Sequence, residues 1–405
     1  VGPTPTRRRK LLLHVGTPKT GTSHLQDVLF RNRAVLATQG LHYPGERFDS
    51  HFRAAIDLMG LHWAGLGEES AGAWDELAAE VRNARGTSII SHEVLAAAKP
   101  AQVRRALESL GDMEVHLIIS ARDLVRQIPA EWQENVKHNS SVSFANFLER
   151  IQDPERGSRV ASWFWRVQDL PDIIERWGAG LPPEQIHLIT VPPRGAPRDE
   201  LWSRFSRVFG LDGLWGLDLA AARANPSMGV AETTLVRKIN RKVRGQLPGH
   251  YGALVRELLV HKTLSHRSDS PRISLPPEWE QRAMKISAGW VEELGSRGYD
   301  LVGDLDDLRG HPGGGDWVDP DRPGAKALNR VALDVIEALL NETARLRDVE
   351  QDLKAQLEAS RGGRPKVDDL LRTPVGRRLL GSRAGAAALR RYRRRRAEGE
   401  NSLPA

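Results

Sequence analysis

The residues best placed to do chemistry stand together near the start of the chain. Gly16-Thr17-Pro18-Lys19-Thr20-Gly21-Thr22-Ser23 directly follows the apolar run Leu11–Val15. An apolar strand, a loop of glycines and hydroxyls with one lysine, and then a helix is the layout of an anion cradle. Backbone N–H groups at a helix N-terminus point at the anion, and the helix dipole favours negative charge there. Gly16 and Gly21 match the two glycines of the phosphate pattern Gly-x-x-x-x-Gly-Lys-Ser/Thr. In that pattern the lysine opens the helix and reaches the β- and γ-phosphates of a triphosphate. Here Thr22 holds that place and the loop's lysine is Lys19, in mid-loop. A mid-loop cation followed by Thr22 and Ser23 suits a shorter anion than a triphosphate.

Two further segments carry candidate groups. Val115–Ser120 is a second apolar run and ends in Ser120-Ala121-Arg122-Asp123. An ATPase or kinase would end this strand on a carboxylate that holds Mg²⁺. A cation stands there instead, which counts against a metal-dependent small-molecule kinase. Ile89-Ile90-Ser91-His92-Glu93 is a third run, whose carboxyl end would lie near the loop in a parallel sheet. A neutral His92 is suited to accept a hydroxyl proton near pH 7, with Glu93 as the alternative base. His51, in Ser50-His51-Phe52-Arg53, is an outside candidate for an acceptor pocket. With no cysteine, the chain has no disulfide, no thiolate metal site and no cysteine nucleophile.

Thr17-Pro18-Lys19-Thr20-Gly21-Thr22-Ser23-His24-Leu25 resembles the 5′-phosphosulfate loop of sulfotransferases that use 3′-phosphoadenosine 5′-phosphosulfate (PAPS), with His24 replacing the usual aromatic. The resemblance implies a P-loop-type α/β fold over roughly residues 10–310 and sulfuryl transfer from PAPS without a metal. It implies that Lys19 contacts the bridging oxygen of the leaving phosphate, and that Thr20, Gly21, Thr22 and Ser23 help bind the 5′-phosphate. The family's 3′-phosphate pattern, Arg-Asp/Asn-Pro-x-x-Arg-x-x-Ser-x-Tyr/Trp, registers with Arg122, Asp123 and Trp132. Leu124 replaces its proline, Arg126 comes one place early, and Ala130 stands where the serine belongs, so Ser120 or Gln133 would have to substitute. Relatives register either His92 with a catalytic histidine or Glu93 with a catalytic glutamate. Variable loops build acceptor pockets, so small-molecule, lipid and carbohydrate acceptors all stay open. A non-enzymatic anion-binding or scaffold protein is the other alternative.

These residues need a frame that holds them at one edge. Leu11–Val15, Leu41–Tyr43, Thr87–Ser91, Val115–Ser120 and Ile186–Val191 read as buried strands, with helices between them at Thr22–Leu36 and from Pro100. Strands alternating with helices imply a central parallel sheet covered on both faces. From about Arg198 the pattern is helical, over 198–209, 228–245, 250–263 and 277–297, and Ser227 looks like a helix cap. Trp163, Trp165, Trp177 and Trp202 sit in helical patterns and read as packing residues. The predicted organisation is a catalytic domain at 1–309, a Gly/Pro/Asp-rich linker at 310–325, a long helix at 326–360 and a basic tail at 361–405. Heptad-like spacing of Leu339, Leu346 and Leu353 makes the long helix a candidate for pairing between copies.

The 405 residues suffice for one large α/β domain with an appendage. The net charge of +7 is unevenly spread: residues 361–405 carry 13 Lys/Arg and 4 Asp/Glu, leaving the rest close to neutral. The basic character therefore belongs to the tail and does not make the body a nucleic-acid binder. The tail's arginines predict an extended, solvated segment that could attach to an anionic membrane face. Arg7–Lys10 before Leu11–Leu13 imitates a signal peptide, but the apolar stretch stops at His14 and Gly16. No apolar run approaches the roughly 20 residues of a membrane span. A cytoplasmic protein, peripheral at the inner membrane face if the tail binds there, is the expectation.

Overall fold

The computed structural model describes residues 9–63, 66–219, 227–267, 269–314 and 316–362. Six strands form one sheet: β1 (Lys10–His14), β2 (Leu41–His42), β3 (Thr87–Ser91), β4 (Glu114–Ala121), β5 (Ile186–Thr190) and β6 (Asp300–Val302). Their order is β2-β3-β1-β4-β5-β6, and all pairings are parallel. Helices α1 (Thr22–Arg31) and α2 (Arg33–Thr38) follow β1, and α3 (Ser50–Met59) and α4 (Ala73–Asn83) follow β2. Helix α5 (Pro100–Leu110) precedes β4, and α6 (Leu124–Lys137), α7 (Phe144–Gln152), α8 (Arg159–Gln168) and α9 (Leu170–Gly178) follow it. Beyond β5 come α10 (Glu200–Phe209), α11 (Val230–Lys242), a π-type helix (Gly252–Thr263) and α12 (Pro277–Gly295), and α13 (Ala325–Gly362) follows β6.

This is the α/β parallel-sheet architecture that the alternating pattern predicts. Leu11 and Leu13 pack into one face with Leu117 and Ile119, while Leu12 packs into the other with Ile89, Ile118 and Ile189. A strand buried on both faces can show no polar alternation, which is why these runs read as continuously apolar. The chain runs from β1 to the edge strand β2, comes back to β3 beside β1, and then crosses to β1's other side with β4. That reversal opens a crevice at the carboxyl ends of β1 and β4, the usual ligand position in such sheets.

Local differences from the expectations have physical causes. The single helix expected at Thr22–Leu36 is two, because Asn32 leaves helical geometry and its side-chain amide donates to the Val28 carbonyl at 2.8 Å. β6, only three residues long, was not anticipated. Ser227 does not cap α11; Gly229 is the N-cap residue, and the Ala231 N–H finds Ser270 Oγ at 3.1 Å instead.

The stretch expected as a linker is strapped to the body. The Gly313 N–H donates to Glu280 at 2.8 Å, and the Asp321 carboxylate accepts the first N–H groups of α7, Phe144 and Ala145, at 3.0 and 2.9 Å. Asp321 also pairs with Arg237 at 3.0 Å. The compact unit consequently runs to Val335, past residue 309, and buries Val331 and Val335 of α13. A second unit starts at Ile336. The long helix extends to Gly362, and the remainder of the basic tail, like Asn225 and Pro226, lies outside the described residues. Among the described residues no helix is long and apolar enough to cross a membrane.

Candidate anion and active site

Two glycines give the loop its shape. Gly16 and Gly21 have φ of 122° and 90°, in the region that disfavours side chains. A Cβ on Gly16 would meet the Glu93 carbonyl at 3.0 Å, and one on Gly21 would meet Leu201 at 2.8 Å. The loop is bonded to the neighbouring strand end: Thr17 N–H donates to the Ser120 carbonyl at 2.7 Å, and Ser120 N–H donates to the Gly16 carbonyl at 2.6 Å. Thr20 Oγ1 donates to the Thr17 carbonyl and lies 2.6 Å from Ser120 Oγ. Buried His14 lies beneath the loop, bonded to Ser91 Oγ at 2.8 Å and Ser120 Oγ at 3.0 Å. Burial lowers its pKa to about 4, so it is a neutral structural ring.

The scaffold thus uses up the Thr17 and Thr20 hydroxyls and none of the amides that follow Pro18. The N–H groups of Lys19, Thr20, Gly21, Thr22 and Ser23 have no acceptor among the described residues. Helix α1 starts without a side-chain cap or an acidic residue in its first turn. Five successive free amides at a helix start form an anion-binding nest. Of the expected 5′-phosphate residues, Thr20 contributes through its backbone, while Ser23 is exposed beside it.

Arg122 flanks this nest from the end of β4. Its guanidinium makes a 3.3 Å hydrogen bond to the Lys19 carbonyl, and its buried Nε has no partner. Burial and the like charge of Arg126 lower its pKa to about 10. Neighbouring Asp123 does not neutralise it: that carboxylate caps α6 through the Arg126 N–H at 2.9 Å and pairs with the Arg126 side chain. Arg126 also donates to the Pro192 and Val191 carbonyls, so it is a structural tie. The two proposed substitutes for the missing serine are both engaged elsewhere. Ser120 is held by Gly16, Thr20 and His14, and Gln133 Nε2 donates to the Met228 carbonyl at 2.7 Å. Trp132 is fully buried and donates to the Val142 carbonyl, a packing role.

The candidate bases separate on their hydrogen bonds. His51 is excluded, because its Nε2 donates to the Pro44 carbonyl at 2.8 Å and its Nδ1 accepts from Ser91 N–H at 3.1 Å. Burial lowers its pKa to about 4. His92 Nδ1 accepts from Val94 N–H at 3.2 Å, so the neutral ring carries its proton on Nε2 and presents a donor. Burial keeps that ring neutral by lowering its pKa, against the pull of Glu93. Burial pushes the Glu93 carboxyl up, but His92 and hydrogen bonds, including Gln26 Nε2 at 2.8 Å, hold it below its usual range.

Sequence reasoning missed a charged face of α6. Lys19 Nζ sits 2.7 Å from Glu134 Oε2, and buried Lys137 lies 3.8 Å from the same oxygen. Burial alone would raise the Glu134 pKa; His138, Lys19 and Lys137 overcome it and hold the carboxylate ionised. One turn earlier, Glu131 is 5 % exposed, and burial raises its pKa to about 7 despite nearby Lys19. Gln168, which flanks Glu131, accepts from Gln127 Nε2 at 2.9 Å, and Gln127 also donates to the Pro18 carbonyl of the loop. Glu131, Glu134 and Lys137 recur at a spacing of three on a helix that otherwise packs inward. That spacing was the available signal.

Compared with known proteins, the chain matches no family model, no curated protein and no solved structure. The functional reading therefore rests on the chain's own residues.

Proposed function

We propose that the protein is a sulfotransferase that moves a sulfuryl group from PAPS to a hydroxyl of an acceptor. One observation carries this reading: five acceptor-less amides and Lys19 lie beside Arg122, a cation whose Nε is buried and unpaired. A nucleotide with a 5′-phosphosulfate and a separate 3′-phosphate supplies two anions, one for each group. The acceptor oxygen attacks sulfur, the bond from sulfur to the bridging phosphate oxygen breaks, and adenosine 3′,5′-bisphosphate leaves. Lys19 and the amides stabilise charge growing on the leaving oxygen. The acceptor's proton passes to Glu131, a buried carboxyl one turn from the Glu134 that pairs with Lys19, its pKa raised by burial to about 7. His92, protonated on Nε2, orients the acceptor oxygen as a donor, and Glu93 holds the segment through Gln26.

The kinase alternative is disfavoured by Asp123. The carboxylate nearest the end of β4 is 2 % exposed and already committed to α6 and Arg126. The test is a melting series on the intact protein. Adenosine 3′,5′-bisphosphate is expected to raise the melting temperature with concentration, by mass action, and ATP with Mg²⁺ much less. Equal shifts from both, or no shift from the bisphosphate, would overturn the donor assignment.

A further inference from the structure

We infer that two copies of this chain pair in parallel through the α13 stripe Ile336–Leu357. Ile336, Leu339, Thr343, Leu346, Glu350, Leu353 and Leu357 alternate at spacings of three and four, the seam of a coiled coil. The apolar members are all exposed on this helix: Ile336 51 %, Leu339 40 %, Leu346 49 %, Leu353 58 % and Leu357 51 %. Leucines at exact seven-residue spacing do not serve a lone solvated helix, which would place polar residues there.

Three features choose a second copy as the occupant. β-branched Ile336 and Thr343 fill two of the four a positions and Leu339, Leu346 and Leu353 all three d positions, an arrangement that leans towards two strands. The flanks are self-complementary in parallel register: Glu342 at g, bonded to Arg345 of its own helix at 2.7 Å, lies opposite Arg347 at e of the other copy, twice by symmetry, so pairing would join these charges into one network. Glu350 is the one charged a position, and Arg347 and Lys354 of its own helix hold it at 2.9 and 2.8 Å. With Thr343 it is one of two polar a positions, which cost stability but fix register.

Sedimentation equilibrium on the intact chain tests this. The wild-type protein is expected to be a dimer that dissociates on dilution. Leu346→Glu with Leu353→Glu is expected to raise the dissociation constant roughly 100-fold or more, since each copy loses two buried leucines. Glu342→Arg alone and Arg347→Glu alone are each expected to weaken pairing roughly threefold to tenfold, and the double swap to restore it. Far-UV circular dichroism and the bisphosphate melting shift confirm that each variant is folded. A monomer at all concentrations would overturn the proposal, as would a dimer indifferent to the leucine variant. A double swap no stronger than the single ones would also overturn it.

Discussion

Two polar clusters sit at opposite edges of the same sheet, and they differ in whether their charges close. At the amino ends of β4, β5 and β6, Glu114, His116, His187 and Asp300 form a chain with links of 2.9, 2.8 and 2.6 Å. Each ring thus spends one nitrogen on a carboxylate and the other on its neighbouring ring. At the carboxyl ends of β1 and β4, by contrast, the inward hydrogen bonds of His14, Thr20 and Ser120 are complete. Arg122 Nε and five amides are left over. A closed network is scaffold; the unfinished one is where we propose that the anion binds.

Breaking the unfinished cluster should abolish chemistry while sparing the fold. The largest effect is expected from Glu131→Gln, which keeps volume but cannot take a proton. Turnover should drop roughly 10²–10⁴-fold with bisphosphate affinity nearly unchanged. Full activity in that variant would return the role to Glu93 or His92. Lys19→Ala is next: its charge matters most as the leaving oxygen becomes anionic, so turnover should fall roughly 10²–10³-fold. An unchanged turnover would remove the lysine from the mechanism. Arg122→Ala should act on the ground state as well, weakening bisphosphate binding roughly tenfold to a hundredfold. Normal binding isotherms would show that the unpaired guanidinium serves no phosphate.

Breaking the closed cluster should do the reverse. His187→Ala strands the inner nitrogen of His116 and the Asp300 carboxylate, and should cost about 1–3 kcal/mol of stability. Denaturant unfolding measures this, and bisphosphate affinity should stay constant. A variant as stable as wild type, or one with impaired nucleotide binding, would erase the contrast between the two edges.

What the sequence disclosed follows the range of the interactions involved. The loop was legible because its glycines, Lys19 and the start of α1 lie within a few residues and act locally. The central strands were legible because both faces are apolar. Glu131, Glu134 and Lys137 were not, because Glu134 meets Lys19, and Lys137 meets Glu134, only after α6 folds against the loop, over a hundred residues along the chain. His51 looked available to an acceptor pocket because a sequence cannot show that Pro44 and Ser91 occupy both ring nitrogens. The Gly/Pro/Asp stretch looked flexible for the same reason, since its partners Glu280, Phe144 and Arg237 lie far away.

The smallest expected effect is a pH dependence in which the buried groups of the carboxyl edge oppose one another. His14 and His51 have pKa values lowered to about 4 by burial. Between that value and the ordinary histidine value of about 6.5 the unfolded chain binds more protons than the folded one. Their contribution is thus present above about pH 6.5 and lost as pH falls towards 4, by at most about 1.4 kcal/mol per pH unit for each ring. Glu131 works the other way, because burial raises it to about 7. Its neutral form suits the fold, so its contribution is present below the ordinary carboxyl range and lost as pH rises through 7. In wild type these two histidines, together with His92, whose pKa burial also lowers, outweigh the one carboxyl, and stability should climb modestly from pH 5 to 6.5. In Glu131→Gln the opposing slope is gone. The climb should steepen, and the variant's advantage over wild type should grow with pH until it levels off above 7. Denaturant midpoints measured from pH 5 to 8 would check this, and a difference between the two proteins that is flat with pH would show that Glu131 is not a buried neutral carboxyl.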